Sequence, residues 1–479
     1  MMLCKQNGEQ TRSFQLVLAT IVFAGLLSCQ APAPNDASLP NFIVIFCDDL
    51  GYGDVGCFGA QVHRTPNIDQ MATEGIRLTS FYSTSGVCTP SRSSLMTGCY
   101  PRRLNLHEDE LSRWVLYPSA QRGLNPDETT LAEILKESGY ATAIIGKWHL
   151  GDQPEFLPTR QGFDSYFGIP YSNDQNAANP RRSFPPLPLM RNEEVIETEP
   201  DQALLTRRYT EEAIEFVRQR KDQPFFLYLA HTMPHNPVAA SESFLGKSEN
   251  GTYGDAVEEI DWSTGEILKT IKSLSLDSRT LVLFTSDNGA HMVFGGSNAP
   301  LSGTKGSTME GGMRVPCVVR WPGRIPPGTS CDELTSTIDV LPTLARLAGS
   351  SSPDDRIIDG EDISPLLFGD PEARTPHDVF YYYAKDELQA VRSGDWKLQL
   401  PREVLVRYHT GTPPKLPLLL FDLSTDIGET RNMAPSRPEI VSRLQSLAEQ
   451  AREDLGDGNR PGRNQRPAGF VPEPQPLTE

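Results

Sequence analysis

The chain has 479 residues, 38% of them hydrophobic and 22% charged, with a formal net charge of −18. It is too long for one small core and suits a large α/β unit with a smaller module; its composition is that of a folded chain, not a disordered one. The acidity argues against a nucleic-acid partner, because phosphate contacts need clustered Lys and Arg, but it says little about a small substrate, since a basic pocket can sit inside an acidic surface.

At the N-terminus Lys5 and Arg12 precede the apolar run FQLVLATIVFAGLLSC, which is shorter than a membrane-spanning helix requires. Its end, Leu26-Leu27-Ser28-Cys29, resembles a bacterial lipobox with Cys29 as the lipidated residue. Residues 1–28 are therefore expected to be a lipoprotein-type signal peptide and 29–40 a tether, with a plain secretory signal as the alternative. Both readings export the mature chain, and no second stretch is long and apolar enough to span a membrane. Beyond Cys4 and Cys29, the cysteines Cys47, Cys57, Cys88, Cys99, Cys317 and Cys331 are too few for a disulfide scaffold. Export permits a bridge, and the pair Cys317–Cys331 stays open.

From residue 41, short apolar runs rich in β-formers alternate with helical periodicity, the pattern of a mainly parallel sheet flanked by helices. The predicted strands are NFIVIFC, ATAIIG, PFFLYLA and TLVLFTS. Between them, 127–138 is an expected helix with Leu131, Ile134 and Leu135 on one face and Asp127 as its cap. A second helix is expected over 255–272, where Val257, Ile260, Thr264, Ile267, Leu268 and Ile271 follow 3–4 spacing. The α/β region is expected to occupy 41–370. Over 371–455, VFYYYAKDELQAVRSGDWKLQL and LLLFDLSTDIG read as strands of a small antiparallel module, followed by a helix around 437–455. The Pro/Gly/Arg-rich 456–479 reads as a flexible, loosely held tail.

The residues just past each strand point to chemistry. NFIVIFC runs into Asp48-Asp49, ATAIIG into Lys147-Trp148-His149, PFFLYLA into His231 and then His235, and TLVLFTS into Asp287-Asn288. In open parallel sheets ligands bind outside the carboxyl ends of the strands, so these polar ends predict one shared site. Asp48, Asp49, Asp287 and the Asn288 amide oxygen are hard donors that suit Ca²⁺ or Mg²⁺ over Zn²⁺. The plainer reading is that both dipeptides only form turns. Arg92, Lys147 and Lys305 would repel a cation unless an anion sits between, which predicts a substrate carrying a compact tetraoxyanion. In GVCTPSRSSLMTG, Cys88 has neither a histidine base nor a disulfide partner nearby in sequence, and is expected at the N-terminus of a helix beginning near Ser91.

CTPSRSSLMTG matches the Cys-x-Pro-Ser-Arg signature of the type I sulfatases, in which the cysteine is oxidised to formylglycine. DDLGYGDVGCFG, GKWHLG, TSDNG and GTKGSTMEGGMRVP resemble the family's other site segments, and GIPYSNDQ and LFDLSTDIGE are similar to the arylsulfatase A type, over roughly residues 40–450. The resemblance implies an alkaline-phosphatase-like sulfatase fold, with 41–370 as the catalytic domain and 371–455 as a C-terminal α+β subdomain. It implies metal ligands Asp48, Asp49, Asp287, Asn288 and the modified Cys88. Catalytic and sulfate-contacting residues would be Arg92, Lys147, His149, Ser172, His235 and Lys305, with His149 as base and His235 or Lys305 protonating the leaving oxygen. Ca²⁺ is expected ahead of Mg²⁺. Expected partners are a sulfated small molecule or glycan and a formylglycine-generating maturation enzyme; the expected location is a bacterial periplasm or cell surface, anchored through Cys29. The implied activity is hydrolysis of an aryl or carbohydrate sulfate ester. The alternatives are a phosphate or phosphonate ester hydrolase of the same superfamily and a non-catalytic lipoprotein that binds sulfated glycans.

Overall fold

The strand written NFIVIFC shows how this sequence makes a sheet covered on both faces. Its alternate residues enter two different cores: Phe42, Val44 and Phe46 pack on one side, Ile43, Ile45 and Cys47 on the other, all fully buried. A computed structural model describes residues 39–403 and 415–479. The signal peptide 1–28, Cys29 and nearly all of the 29–40 tether lie outside the described residues, and among those described no helix is long and apolar enough to cross a membrane.

The main sheet contains β1 (Asn41–Cys47), β2 (Ile76–Leu78), β3 (Ala141–Gly146), β4 (Ser165–Gly168), β5 (Pro188–Arg191), β6 (Glu194–Thr198), β7 (Phe225–Ala230), β8 (Thr280–Ser286), β9 (Cys317–Arg320) and β10 (Thr329–Cys331). Their order is β10-β2-β9-β8-β1-β7-β3-β4-β5-β6. The central strands β8, β1, β7, β3 and β4 are mutually parallel, and antiparallel neighbours extend both edges. Register then decides where the chemistry goes. Cys47 pairs with Ser286, Phe46 with Ala230, and Ala230 with Gly146, so the four predicted strands end at one level and release their polar residues at one edge. Gly146 has a φ of +115°, and a Cβ there would collide with the Ala230 carbonyl. The turn that delivers Lys147 therefore needs glycine.

Helix α1 (Cys88–Thr97) is buried throughout and begins at Cys88 itself rather than near Ser91. Helix α2 (Leu131–Glu137) is capped by Thr130, whose hydroxyl accepts from Glu133 N while the Glu133 carboxylate accepts from Thr130 N. The expected cap, Asp127, lies outside that helix, because the reciprocal Thr–Glu box satisfies two end donors at once. Helix α3 (Leu205–Gln219) and helix α4 (Gly251–Ser273) pack together over one face.

A small antiparallel sheet comes next, β11 (Phe380–Ala384), β12 (Glu387–Ser393), β13 (Trp396–Gln399) and β14 (Leu419–Asp422), with α5 (Pro438–Asp454) against it. Residues Leu39–Glu479 make one compact unit. The segment expected as a loose tail is laid along the body: Gly469–Phe470 pairs with Arg122–Gly123, Arg466 forms an ion pair with Glu128, and Gln475 bonds Gln153. Composition signals weak self-association, and these partners come from distant sequence. All the cysteines named from Cys47 onward are free thiols. Cys317 and Cys331 pair with Leu78 from opposite sides, which sets them two strand spacings apart, about 9.5 Å, beyond disulfide reach.

Candidate active site

Every residue expected to serve the site is buried at this sheet edge. Asp49 N donates to Asp287 Oδ1 at 3.2 Å and Leu50 N to Ser286 Oγ at 3.0 Å, stitching the ends of β1 and β8 together. Asn288 Nδ2 donates to Asp49 Oδ1 at 2.8 Å and to the Gly289 carbonyl at 3.0 Å. That fixes the amide, and Asn288 Oδ1 is buried with no hydrogen-bond partner. Asp49 and His149 both take positive φ, +67° and +62°. Such backbone costs on the order of 1–3 kcal/mol and persists only where surroundings hold it.

The cations interleave with the carboxylates. Arg92, from α1, donates to Asp287 Oδ2 through Nε at 3.1 Å and Nη2 at 2.8 Å, and to the Lys147 carbonyl at 3.0 Å. Lys147 Nζ makes a short bond to Asp48 Oδ2 and reaches Ser172 Oγ at 3.2 Å. Lys305 Nζ lies 2.7 Å from Asp49 Oδ2 and 3.6 Å from Cys88 Sγ, and Cys88 Sγ lies 3.3 Å from Asp48 Oδ1. Ligand atoms of Asp48, Asp49, Cys88 and His235 all fall within 4.8 Å of one another. Asp287 stands just outside that group, its oxygens taken by Arg92 and Asp49 N. His231, the other histidine after β7, is used elsewhere, its Nε2 3.3 Å from Ser263 Oγ of α4.

Electrostatics follow from burial and neighbours. Burial, then the charge of Asp48, raises the Cys88 thiol far above its ordinary range, so it is not a thiolate nucleophile. Burial and Asp48 push the Asp287 carboxyl up to about 7. Burial would also raise Asp48 and Asp49, but Lys147 holds the first well below the usual range and Lys305 lowers the second. Three carboxylates here face Arg92, Lys147 and Lys305, so the cluster is already near balance. The unpartnered Asn288 oxygen, the raised carboxyl of Asp287 and the carboxylates of Asp48 and Asp49 beside them fit a hard divalent cation. Adding one leaves the site net positive and ready for an anion.

The histidines are set by residues that sequence reading did not single out. His235 Nδ1 lies 2.9 Å from Asn173 Oδ1, and Asn173 Nδ2 donates to Gln202 Oε1 and to the Pro237 carbonyl, so the amide oxygen must accept from Nδ1. His235 Nε2 is thus turned toward Asp49 Oδ2, 3.8 Å away. His149 Nε2 donates to the Leu116 carbonyl at 3.0 Å, which leaves Nδ1 as a buried, unpartnered acceptor. Burial, then Lys147, lowers His149 well below its ordinary value, so this nitrogen is a bare base. Gln175 Nε2 donates to the same Leu116 carbonyl at 3.0 Å, and its Oε1 accepts from Ser172 N at 3.3 Å. The segment GIPYSNDQ held the only signal for Asn173 and Gln175.

Lys305 is placed from the far side. Its segment is held by Glu429, which accepts from Ser302 Oγ at 2.6 Å and Glu310 N at 2.8 Å, and by Lys397 of β13, which donates to the Thr308 carbonyl at 2.8 Å.

Residues 40–350 match the family model described as Sulfatase, and 305–454 match that described as N-sulphoglucosamine sulphohydrolase, C-terminal. The chain is 42% identical to an arylsulfatase A of Bos taurus over 441 residues, 85% of each chain. It is 41% identical to an N-acetylgalactosamine-6-sulfatase of Canis lupus familiaris over 398 residues, 80% of this chain and 74% of that one. The solved PsFucS1 sulfatase from Pseudoalteromonas sp. superposes with a TM-score of 0.76 at 28% identity, covering 86% of this chain and 89% of that one.

Proposed function

Because the chain belongs to the sulfatase family, and is therefore a sulfuric ester hydrolase, we propose that residue 88 works as formylglycine in a calcium site. The observation that carries this reading is Cys88 Sγ itself: at the start of α1 it sits against Asp48 and Lys305, its pKa raised by burial, with no histidine among the described residues bonded to it. The hydrated aldehyde supplies two hydroxyls on one carbon, one to attack sulfur as the alcohol leaves, the other to expel sulfate by C–O cleavage and restore the aldehyde. Asp48, Asp49, Asp287 and Asn288 Oδ1 would hold the cation, Ca²⁺ ahead of Mg²⁺, which supplies positive charge to the sulfate and the attacking oxygen.

The chain's own side chains do the rest. Lys147, Ser172, His235 and Lys305 orient the sulfate and offset charge on its oxygens, where no reorganisation is needed at the moment of reaction. Arg92 fixes Asp287 and the strand end bearing Lys147. His149 Nδ1 takes the proton that lets sulfate go, and Lys305, or His235 once it is also protonated on Nε2, delivers one to the leaving alcohol. We assign the chemistry to residues 41–370, with 371–455 as the subdomain that holds the Lys305 segment. Relatives named for aryl and N-acetylgalactosamine 6-sulfates support an aryl or carbohydrate sulfate ester as substrate. The sequence of residues 1–40 supports an exported lipoprotein anchored at Cys29, in a bacterial periplasm or on the cell surface, matured by a formylglycine-generating enzyme. Peptide mass spectrometry tests the central claim: in active protein the residue-88 peptide should be about 18 Da lighter than the thiol form. Full activity with an intact thiol would defeat it.

A further inference from the structure

The wall of the site continues outward through Leu116. Its amide donates to Thr89 Oγ1 at 3.2 Å, beside Cys88, and its carbonyl takes both His149 Nε2 and Gln175 Nε2. The next residue is Tyr117, whose ring is half-buried. The Arg182 guanidinium carbon lies 4.9 Å from the centre of that ring, and Phe184 meets it edge-on at 5.3 Å. Arg182 is tethered to the site as well. Asn179 Oδ1 accepts from the backbone amides of Arg181 and Arg182 at 2.9 and 3.1 Å, and Asn179 Nδ2 donates to the Asp174 carbonyl at 2.6 Å, between Asn173 and Gln175. Tyr117 thus follows the residue that bonds His149, and Arg182 is tethered to the chain neighbour of Asn173, which bonds His235.

The two arginines over Tyr117 differ in one respect. Arg113, 4.2 Å from the ring centre, is ion-paired with Asp109 and Glu110. Arg182 is exposed, and among the described residues its guanidinium has no ion pair or hydrogen bond. In a chain of net charge −18, acidic side chains to pair with are plentiful. A guanidinium seated over an aromatic face, with its N–H fork unspent, is built to receive a planar or tetrahedral oxyanion in bidentate fashion.

We propose that Arg182, seated over Tyr117, forms a second anion subsite that binds a carboxylate or sulfate carried elsewhere on a glycan whose scissile sulfate lies at residue 88. This rests on the sulfatase reading above and names its substrate class: polyanionic sulfated saccharides, with Tyr117 and Phe184 against the sugar. Specificity then comes from the 173–186 segment, while the sulfate end is read by the buried cluster.

The test is competition against turnover of nitrocatechol sulfate by the mature enzyme. Inhibition constants are measured for a monosulfated N-acetylhexosamine, for a disaccharide joining that sugar to a uronate, and for its disulfated counterpart with no carboxylate. In the parent enzyme at least one dianionic disaccharide should bind about tenfold or more tighter than the monosulfated sugar, as a charge-assisted bidentate pair allows. Arg182→Ala should erase that ratio, Arg182→Lys should keep part of it, and raised salt should shrink it in the parent and the Lys variant but leave the Ala variant unchanged. Which disaccharide shows the ratio identifies the group. No preference in the parent enzyme, or an equal preference in Arg182→Ala, overturns the subsite. Absence of nitrocatechol sulfate turnover in fully matured parent enzyme would instead strike the sulfatase reading.

Discussion

Two clusters of buried charge flank the Lys305 segment, and one carboxylate of each, Asp287 and Glu310, is shifted in the opposite direction to the other. Around residue 88, burial and neighbouring Asp48 push Asp287 up to about 7, although Arg92 is bonded to it. At the seam with the small sheet, burial also acts to raise Glu310, but Lys397, Arg314 and Arg392 hold it down to about 2. Glu310 also accepts from the hydroxyls of Tyr82 and Tyr382, and Lys397 Nζ is shared with Glu429 at 2.9 Å. Both Glu310 oxygens thus have partners. Near residue 88, Asn288 Oδ1 and His149 Nδ1 have none, and Asp49 and His149 sit on strained backbone. Low dielectric magnifies both outcomes: a completed network rigidifies, and an incomplete one stores unfavourable energy until a ligand arrives. Glu310 is satisfied by the chain's own side chains, whereas Asn288 Oδ1 and His149 Nδ1 are left open to a ligand.

The difference is broken most severely at residue 88. Cys88→Ser should lower turnover by at least about a thousandfold, because a serine hydroxyl leaves no second hydroxyl to drive release. Its melting temperature should stay near the parent's, since a serine hydroxyl of similar size can keep the contacts to Asp48 and Lys305; a large loss of stability would assign Cys88 to packing instead. Chelation comes next. Stripping divalent ions should abolish turnover and lower the melting temperature, and Ca²⁺ at about a thousandfold over its dissociation constant should restore about 4 kcal/mol. Asp287→Ala should be inactive and insensitive to added Ca²⁺. Chelated protein with full activity would make the cluster purely structural.

Much of this contrast was readable before folding, but unevenly. Strands 41–47, 141–146 and 280–286 announce themselves because their residues are apolar on both faces, and the polar residues after them mark one edge once the sheet is parallel. Lys397 gave no such signal. In WKLQ an alternating reading has no reason to bury a lysine, and only Glu310 and Glu429, far off in sequence, make that position tolerable. Asn173 and Gln175 lie in the quoted segment GIPYSNDQ, but their roles were not legible for a related reason: an amide's role depends on which side chains already hold its other end. Asp127 lost the cap to Thr130 because the contest turned on a reciprocal bond to Glu133. The terminal segment looked loose because composition ignores the partners that Glu128 and Gln153 provide.

At the seam the expected loss is of stability. Lys397→Met keeps the volume but leaves Glu310 and Glu429 buried around a missing ammonium, which should cost about 3–5 kcal/mol in denaturant unfolding. Turnover per folded molecule should fall far less than in Cys88→Ser, because Lys305 keeps its own bond to Asp49. A double variant, Lys397→Met with Glu310→Gln, should recover part of the stability by removing one of the orphaned charges. If the single variant unfolds with the parent's midpoint, the seam carries no net ionic stabilisation and the contrast with the site fails.

The smallest expected effect sharpens the comparison with a single pair. His377 Nε2 lies 2.7 Å from Asp339 Oδ1, and Asp339 also accepts from Ser336 N and Glu361 N. Burial alone would lower this histidine, but Asp339, with Glu361 and Asp359 nearby, outweighs it and raises His377 above its ordinary value. A pKa raised on folding contributes stability that is fully present below the unfolded value, about 6.5, and is lost as pH rises through the folded value. His149 and His235 are lowered instead, so they favour the folded state in the opposite direction and obscure the total. The measurement is therefore a difference: unfolding free energy of the parent minus that of His377→Gln, followed from about pH 5 to about pH 9. That difference should be constant at the acid end, decline above about pH 6.5, and level off once the parent's His377 has lost its proton. A difference that grows with pH would mean that His377 is neutral in the folded chain and that Asp339 is satisfied by its backbone donors alone.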